Sequence, residues 1–180
     1  MKYFLKILRR RNSRGFTVIE AFVGISILLI GLVGPLMLVN SNLQAGRFSR
    51  DQITAYYLAQ EAIEMVREKR DENFIASSSD WLAGLGDCTS GRCYVDGRNG
   101  ASDPFGGCSG NCTFPLQVNT ASGQYGYDGG FTNSHFYRYV EINENGAGDG
   151  ALVTVVVGFD TGRYVQEYTT TDYLRDWNPR

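Results

Sequence analysis

The sequence predicts an α+β fold: a long N-terminal helix that packs against a small antiparallel sheet, with a long disulfide-containing loop region between the two. Three observations predict it, namely an unbroken apolar run at 16–39, an amphipathic helical pattern at 47–72, and alternating or β-branched segments after residue 135. The 180 residues are enough for one domain with an ordinary core. With 43% apolar and 20% charged residues, the chain has the composition of a globular protein.

The charges are divided unevenly along the chain. Residues 1–15 contain six basic side chains and no acidic one. The arginines among them are Arg9, Arg10, Arg11 and Arg14. Eleven basic and nineteen acidic residues remain in 16–180, a balance of −8 that argues against a nucleic-acid partner. A basic head ahead of an apolar run predicts a leader peptide at 1–15 that stays in the cytoplasm.

Residues 16–39 read FTVIEAFVGISILLIGLVGPLMLV, with Glu20 as the one ionisable side chain. As a helix this segment is roughly 36 Å long at ~1.5 Å per residue, enough to cross a ~30 Å hydrocarbon core. We expect one helix through the cytoplasmic (inner) membrane, with the C-terminal part of the chain outside the cytoplasm. Gly34 and Pro35, with Gly31 before them, form a candidate hinge, although both residue types are also common in ordinary membrane helices.

Glu20 is unusual in this apolar run, because a carboxylate in a spanning helix costs at least ~2.5–3.5 kcal/mol. In one interpretation it lies hydrated near the head groups. In another it has a cationic partner. Cleavage between Gly15 and Phe16 would create an α-amino group at the start of the helix, and a neighbouring copy shifted along its axis would bring its Glu20 beside that amine. Glu20 would then set the register of an assembly.

The run Arg14-Gly15-Phe16-Thr17-Val18-Ile19-Glu20, directly before an apolar helix, resembles the class III signal of type IV prepilins and of the pseudopilins of type II secretion. The resemblance implies that a prepilin peptidase cuts after Gly15 and methylates the amine of Phe16. The other partners it implies are pilin or pseudopilin subunits, an inner-membrane assembly platform, and the lipid bilayer before assembly. Two features depart from the family pattern: the leader is long, which puts its start codon in question, and Pro35 falls earlier than the helix proline of major pilins.

Residues 40–72 are predicted to continue the helix as an amphipathic half. From 47 to 72 there is neither glycine nor proline, and small or apolar residues recur at helical spacing. The stripe consists of Ala55, Leu58, Ala59, Ala62, Met65 and Val66, widened by Ile53, Tyr56 and Ile63. Arg67 is spaced to pair with Glu64 or Asp71. We expect the stripe to pack under an extracytoplasmic globular domain at 73–180.

Residues 77–130 are rich in glycine, serine and asparagine and predict a long loop region. It contains all four cysteines: Cys88, Cys93, Cys108 and Cys112. Their C-x4-C and C-x3-C spacings do not match zinc knuckles and no histidine lies nearby, so we expect two disulfides and no metal site. Local pairs close the shortest loops, whereas crossed or nested pairs staple the whole region and stabilise it more. The sequence does not choose between them.

The last third of the chain predicts three or four antiparallel strands. Residues 135–142 alternate in polarity, 151–159 form a β-branched run expected to be the central strand, and 164–170 return after a turn at 160–163. Phe136, Val140 and Ile142 share one face of the first strand, with Tyr137, Tyr139 and Glu141 on the other. This strand pattern and the Tyr173-Leu174-Arg175-Asp176-Trp177 ending resemble the C-terminal region of minor pilins of the PilV type.

The sequence contains no constellation of residues that carries chemistry. His135 is the one histidine and has no nucleophile motif beside it, and no G-x4-G-K-[ST] phosphate loop occurs. An EF-hand at the turn before residue 151 fails, because its twelfth position would be Leu152. A looser calcium site using Glu144, Asp149 or Asp128 stays open. We expect no catalytic residue, no cofactor and no enzyme.

The sequence therefore predicts a structural subunit, a minor pilin or pseudopilin, of a type IV pilus or a type II secretion-like filament. Before assembly we expect it in the inner membrane, and afterwards in a cell-surface or periplasmic filament. The alternative is an uncleaved single-pass membrane protein that presents a disulfide-stapled binding domain. The two differ in whether the bond after Gly15 is cut.

Overall fold

A computed structural model describes residues 15–98, 104–108, 110–127, 130–162 and 164–177. Four of the predicted leader charges, on Arg9, Arg10, Arg11 and Arg14, lie outside the described residues. The chain falls into two compact units that divide between Gly46 and Arg47. The predicted α+β fold is confirmed: a long N-terminal helix, an antiparallel sheet packed on its later part, and two disulfides in the region between.

Helix α1 covers Val18–Ile75 and continues through Pro35. It extends three residues beyond the predicted end at 72. Its N-terminal part is long and apolar enough to cross a membrane, and it is the one such helix among the described residues. Glycines at 31 and 34 face open space, since a Cβ at either would meet nothing within 4 Å.

The remaining elements are short until the last third of the chain. In chain order they are α2 (Gly86–Thr89), β1 (Cys93–Val95), β2 (Phe105–Gly107), β3 (Gln117–Val118), β4 (Tyr125–Gly126), β5 (Thr132–Asn133), β6 (Phe136–Glu144), β7 (Gly150–Asp160) and β8 (Val165–Arg175). Five strands form an antiparallel sheet in the order β2-β1-β6-β7-β8, and three form a small sheet in the order β4-β3-β5. The main sheet thus has more strands than the three or four predicted.

Strands β6, β7 and β8 lie where the sequence predicts them. The register runs from Phe136 opposite Phe159 to Glu144 opposite Ala151 in the first pair. Strand β7 is paired on both sides, as expected of its β-branched run. Strand β8 extends five residues beyond the predicted end at 170 and is an edge strand of the sheet.

The turns of these hairpins use glycine where the backbone requires it. Between β6 and β7, Gly148 has a φ of +71°, a value that side chains with a Cβ rarely adopt. Between β7 and β8, Gly162 has a φ of +80°, and its N–H donates to the Asp160 carboxylate (2.7 Å). Arg163, the last residue of the predicted turn, lies outside the described residues.

The main core lies between the later part of α1 and one face of the five-stranded sheet. The buried residues of α1 in this core are Ala55, Leu58, Ala59, Ala62, Ile63 and Val66. Met65 is half-buried against them, while Ile53 and Tyr56 remain more exposed than the predicted stripe implied, at 57% and 44%. From the sheet come Phe136, Val140, Ile142, Val153, Val155, Val157 and Phe159. The small helix residues let the sheet approach closely, and burial of these apolar side chains stabilises the domain.

The disulfide-containing region at 77–130 holds more regular structure than the predicted loop. This region contains α2 and strands β1 to β4, and five of its apolar side chains enter the main core besides Cys88 and Cys93. They are Leu82, Leu85, Val95, Phe105 and Leu116. The strands have only two or three residues each, too few to produce a period that is visible in the sequence.

Candidate processing and assembly site

The candidate cleavage site lies immediately before α1. Gly15 and Phe16 have no regular secondary structure, and both are exposed. The ring of Phe16 is 76% accessible, and a Cβ at Gly15 would meet nothing within 4 Å. Both residues on either side of the candidate scissile bond are therefore exposed among the residues that the structure describes.

Thr17 and Glu20 form part of a capping box at the start of α1. The backbone N–H of Glu20 donates to Thr17 Oγ1 (3.3 Å), and the N–H of Ala21 donates to the Thr17 carbonyl (3.1 Å). The Thr-x-x-Glu spacing is the sequence signature of this cap, although the cap was not predicted. An acidic side chain in the first turn also interacts favourably with the helix dipole. Glu20 therefore has a local role besides the assembly role predicted for it.

Each disulfide joins cysteines that are close in sequence. Cys88 is bonded to Cys93, and Cys108 to Cys112, so the local pairing is the one formed among the three that the sequence left open. The first bond lies in the main core, where it links α2 to β1. The second lies in a smaller buried cluster with Tyr139 and Val156. Strand alternation places that cluster on the opposite face of the sheet.

An ion pair with a buried guanidinium, which was not predicted from the sequence, ties α1 to the sheet. The Arg138 side chain is fully buried, and its Nη1 donates to Glu61 Oε2 (2.6 Å) and to the Leu58 carbonyl (2.8 Å). Its Nη2 donates to the Val95 carbonyl (2.7 Å) on β1. A Cβ at Gly97 would clash with the Glu61 carboxylate, so glycine leaves room for this acid. One guanidinium thus joins the helix and two strands.

The alternating polarity of β6 contained a sequence signal for the ion pair of Arg138. Arg138 shares its face with Phe136 and Val140, which are both core residues. A charged residue on an apolar strand face requires a partner of opposite charge, because an unpaired buried charge is costly. The sequence does not indicate which acid provides it.

The opposite face of the sheet carries a polar and aromatic cluster. Arg92 Nε donates to Glu141 (2.6 Å), and this hydrogen bond raises the pKa of the Arg92 guanidinium, which also lies 4.3 Å from the centroid of the Tyr139 ring. Burial, and then a hydrogen bond to Glu167 (2.6 Å), raise the pKa of Tyr137 above its usual value. At neutral pH these tyrosines keep their protons, so the face presents hydroxyl groups and no phenolates.

The remaining candidate residues do not come together in one site. His135 is half-exposed, lies against the Phe136 ring and has Nε2 3.3 Å from Asp51 Oδ1. Asp149 is one of the acids considered for a looser calcium site, and its Oδ1 accepts a hydrogen bond from Asn145 (2.6 Å). Asp128 lies outside the described residues. Within the described part of the chain, no group of three or more histidines, cysteines or acids is placed to hold a metal ion.

Comparison with family models, with curated proteins and with solved structures finds no match for this chain. The structure itself supports the architecture expected from the sequence at a coarse level. It contains one N-terminal helix apolar enough to cross a membrane, an antiparallel sheet packed on the later part of that helix, and two disulfides. The role of the N-terminal segment is therefore inferred from its amino-acid sequence and from its position directly before α1.

Proposed function

We propose that the chain is a prepilin-like structural subunit, a minor pilin or pseudopilin of a type IV pilus or of a type II secretion-like filament. One observation carries the proposal: the Gly15-Phe16 bond and Glu20 stand at the start of a helix whose first part is apolar enough to span a membrane. The later part of the same helix packs on an antiparallel sheet with two disulfides. This combination fits a subunit that is anchored first and assembled later.

In this proposal the chain begins as a single-pass protein of the inner membrane, with its disulfide-bonded domain outside the cytoplasm. A prepilin peptidase removes 1–15 and methylates the new amine of Phe16. An inner-membrane platform then extracts the apolar helix, which bundles with the helices of other subunits in the filament core. Glu20 pairs with the Phe16 amine of a neighbour, and this pairing compensates for the cost of a carboxylate among apolar side chains. The same pairing sets the axial step between subunits. The chain acts by assembly and not as an enzyme.

The test is the intact mass and N-terminal sequence of the protein from native membranes, with and without an active prepilin peptidase. We expect a chain that starts at Phe16 and carries one extra methyl group when the peptidase is present. Gly15→Val should stay uncut, because a β-branched side chain crowds the scissile bond, whereas Gly31→Val should be cut normally. A wild-type chain that keeps its leader beside an active peptidase would exclude the proposal. The protein would then be an anchored binding domain.

A further inference from the structure

A cavity of about 370 Å³ lies where four parts of the domain meet: the end of α1, the segment after it, the β6–β7 turn and the chain after β8. Both tryptophans of the chain, Trp81 and Trp177, line the cavity beside Phe74. The other walls are mostly polar and include the carboxylates of Asp149 and Asp176. Filament assembly through α1 does not use this cavity, and the cavity does not depend on cleavage after residue 15.

Contacts within the chain hold the aromatic wall in place. The rings of Phe74 and Trp177 are stacked, with centroids 5.7 Å apart and planes inclined by 12°. Trp81 Nε1–H donates to the Gly148 carbonyl (3.2 Å). The buried side-chain amide of Asn73 donates to the Trp81 carbonyl (3.0 Å) and fixes the loop that carries this indole. A cavity with walls already arranged loses little conformational entropy when a ligand enters.

The polar wall is fixed as well. Asn145 Nδ2 donates to Asp149 Oδ1 (2.6 Å), and the backbone N–H of Asp176 donates to the Asp149 carbonyl (2.9 Å). Arg70 Nε donates to Asp71 (2.8 Å), and its guanidinium lies 5.2 Å from the centroid of the Trp177 ring. The Asp149 carboxylate and the Arg70 guanidinium are therefore held in defined positions, and Asp176 is held through its backbone.

The charges of these walls select the class of ligand. A cationic ligand at the Trp177 ring would lie beside the Arg70 guanidinium, which is 5.2 Å from the ring centroid, and the like charges would repel each other. Asp149 and Asp176 outnumber Arg70 among the described lining residues, which is unfavourable for an anion. An apolar ligand would remove water from the polar wall without replacing its hydrogen bonds. The remaining class is neutral, with C–H faces for the aromatic wall and hydroxyl groups that donate to the carboxylates.

We propose that this cavity binds pyranose rings of a neutral saccharide. Because every indole of the chain lines the cavity, tryptophan emission reports its occupancy directly. The full chain, in a detergent without a sugar head group, is titrated with maltose, cellobiose and di-N-acetylchitobiose. We expect a saturable change in emission with at least one of them. The same chain is also applied to chitin and cellulose beads, because the ring chemistry is shared by free sugars and by polymers.

Two matched variants decide whether the response comes from the cavity. Ser79→Tyr places a ring inside it, because Ser79 lines the cavity, and should abolish the response. Ser122→Tyr, on the exposed β3–β4 turn, should retain it. Equal melting temperatures of the two variants would show that both fold. Emission changes without bead binding indicate soluble sugars, and bead binding alone indicates a polymer surface. No response in either arm, or a response that Ser79→Tyr retains, would overturn the proposal.

Discussion

Glu20, at the first turn of α1, has two candidate roles that require different chemistry. As the third helical residue after Thr17, it completes the spacing of a capping box, a role that glutamine also performs. As the partner of a neighbour's Phe16 amine, it must carry a negative charge. The carboxylate and the carboxamide have nearly the same shape, so replacing Glu20 with glutamine removes the negative charge and keeps the capping geometry.

We therefore expect Glu20→Gln and Glu20→Ala to behave alike. Both should be cleaved after Gly15, since the scissile bond is untouched, and both should fail to enter filaments because the compensating charge is lost. The measurement compares processed protein in membranes with protein in the sheared filament fraction. Glu68→Gln, on a later turn of α1, serves as the control and should be incorporated. Normal incorporation of Glu20→Gln would assign Glu20 to capping and defeat the assembly role.

The ion pair between Arg138 and Glu61 is asymmetric in burial, and this asymmetry has a measurable consequence. Arg138 is fully buried, whereas the Glu61 side chain is 36% exposed. Glu61→Ala leaves a guanidinium inside the core without its counter-charge, a change that costs up to ~3–5 kcal/mol in buried pairs. Arg138→Met leaves a carboxylate that water can reach, so it should lower the free energy of unfolding by less.

A double-mutant cycle in urea checks this order. The Arg138→Met/Glu61→Ala double variant should be more stable than Glu61→Ala alone, with a coupling energy of roughly 0.5–3 kcal/mol. Glu64→Ala is the matched control, because Glu64 lies one turn further along α1, is 62% exposed and pairs with Arg67 at the surface. It should cost no more than ~1 kcal/mol. Additive effects of the two core substitutions would show that the pair contributes nothing as a pair.

At the level of elements, predictability follows the length of the sequence pattern. The later part of α1 and strand β6 have a clear period, β7 has a long β-branched run, and all were predicted close to their observed bounds. Strand β8 was predicted too short, because Leu174 is the one buried side chain from Thr171 to Arg175, so the sequence shows no apolar alternation there. Strands β1 to β5 were missed since their pairing is fixed by tertiary contacts.

The two disulfides close loops of similar length, so a difference in their contribution to stability should come from their surroundings. The sequence separations are 5 and 4, which makes the chain-entropy contributions nearly equal. Cys88 and Cys93 are both buried in the main core, whereas Cys112 is buried in the smaller cluster and Cys108 only partly so. Replacing the first pair with serines also places two hydroxyl groups in an apolar core.

We expect Cys88→Ser/Cys93→Ser to lower the urea midpoint of unfolding more than Cys108→Ser/Cys112→Ser does. Circular dichroism of the two double variants under the same conditions measures both midpoints. The second variant is the matched control, since it removes the same number of bonds and thiols. Equal midpoints, or the reverse order, would show that the core position of the first bond adds nothing to its loop closure.

At the scale of the whole molecule, the architecture followed from complementary apolar faces. The small apolar residues of α1 and the apolar face of β6 both have to be buried, and they bury each other in the main core. The cavity lined by the two tryptophans had no such signal. Its residues come from four separate segments of chain, and only the folded register of β8 brings Trp177 beside Phe74. The local pairing of the cysteines was likewise decided by the fold.

The same complementarity predicts what the domain needs in order to fold by itself. The main core draws its helix residues from 55–66, all beyond the division between Gly46 and Arg47.

A fragment of residues 47–180 should therefore be soluble without detergent and melt cooperatively. A fragment of residues 61–180 lacks Ala55, Leu58 and Ala59 and uncovers part of the sheet. Because burying a side chain such as Leu58 contributes ~1.5–3 kcal/mol against a total stability of ~5–15 kcal/mol, the shorter fragment should melt at a lower temperature. Both fragments keep the disulfides, so thermal melts by circular dichroism isolate the contribution of the helix. If residues 61–180 melt as residues 47–180 do, the first turns of this helix segment are not what covers the sheet.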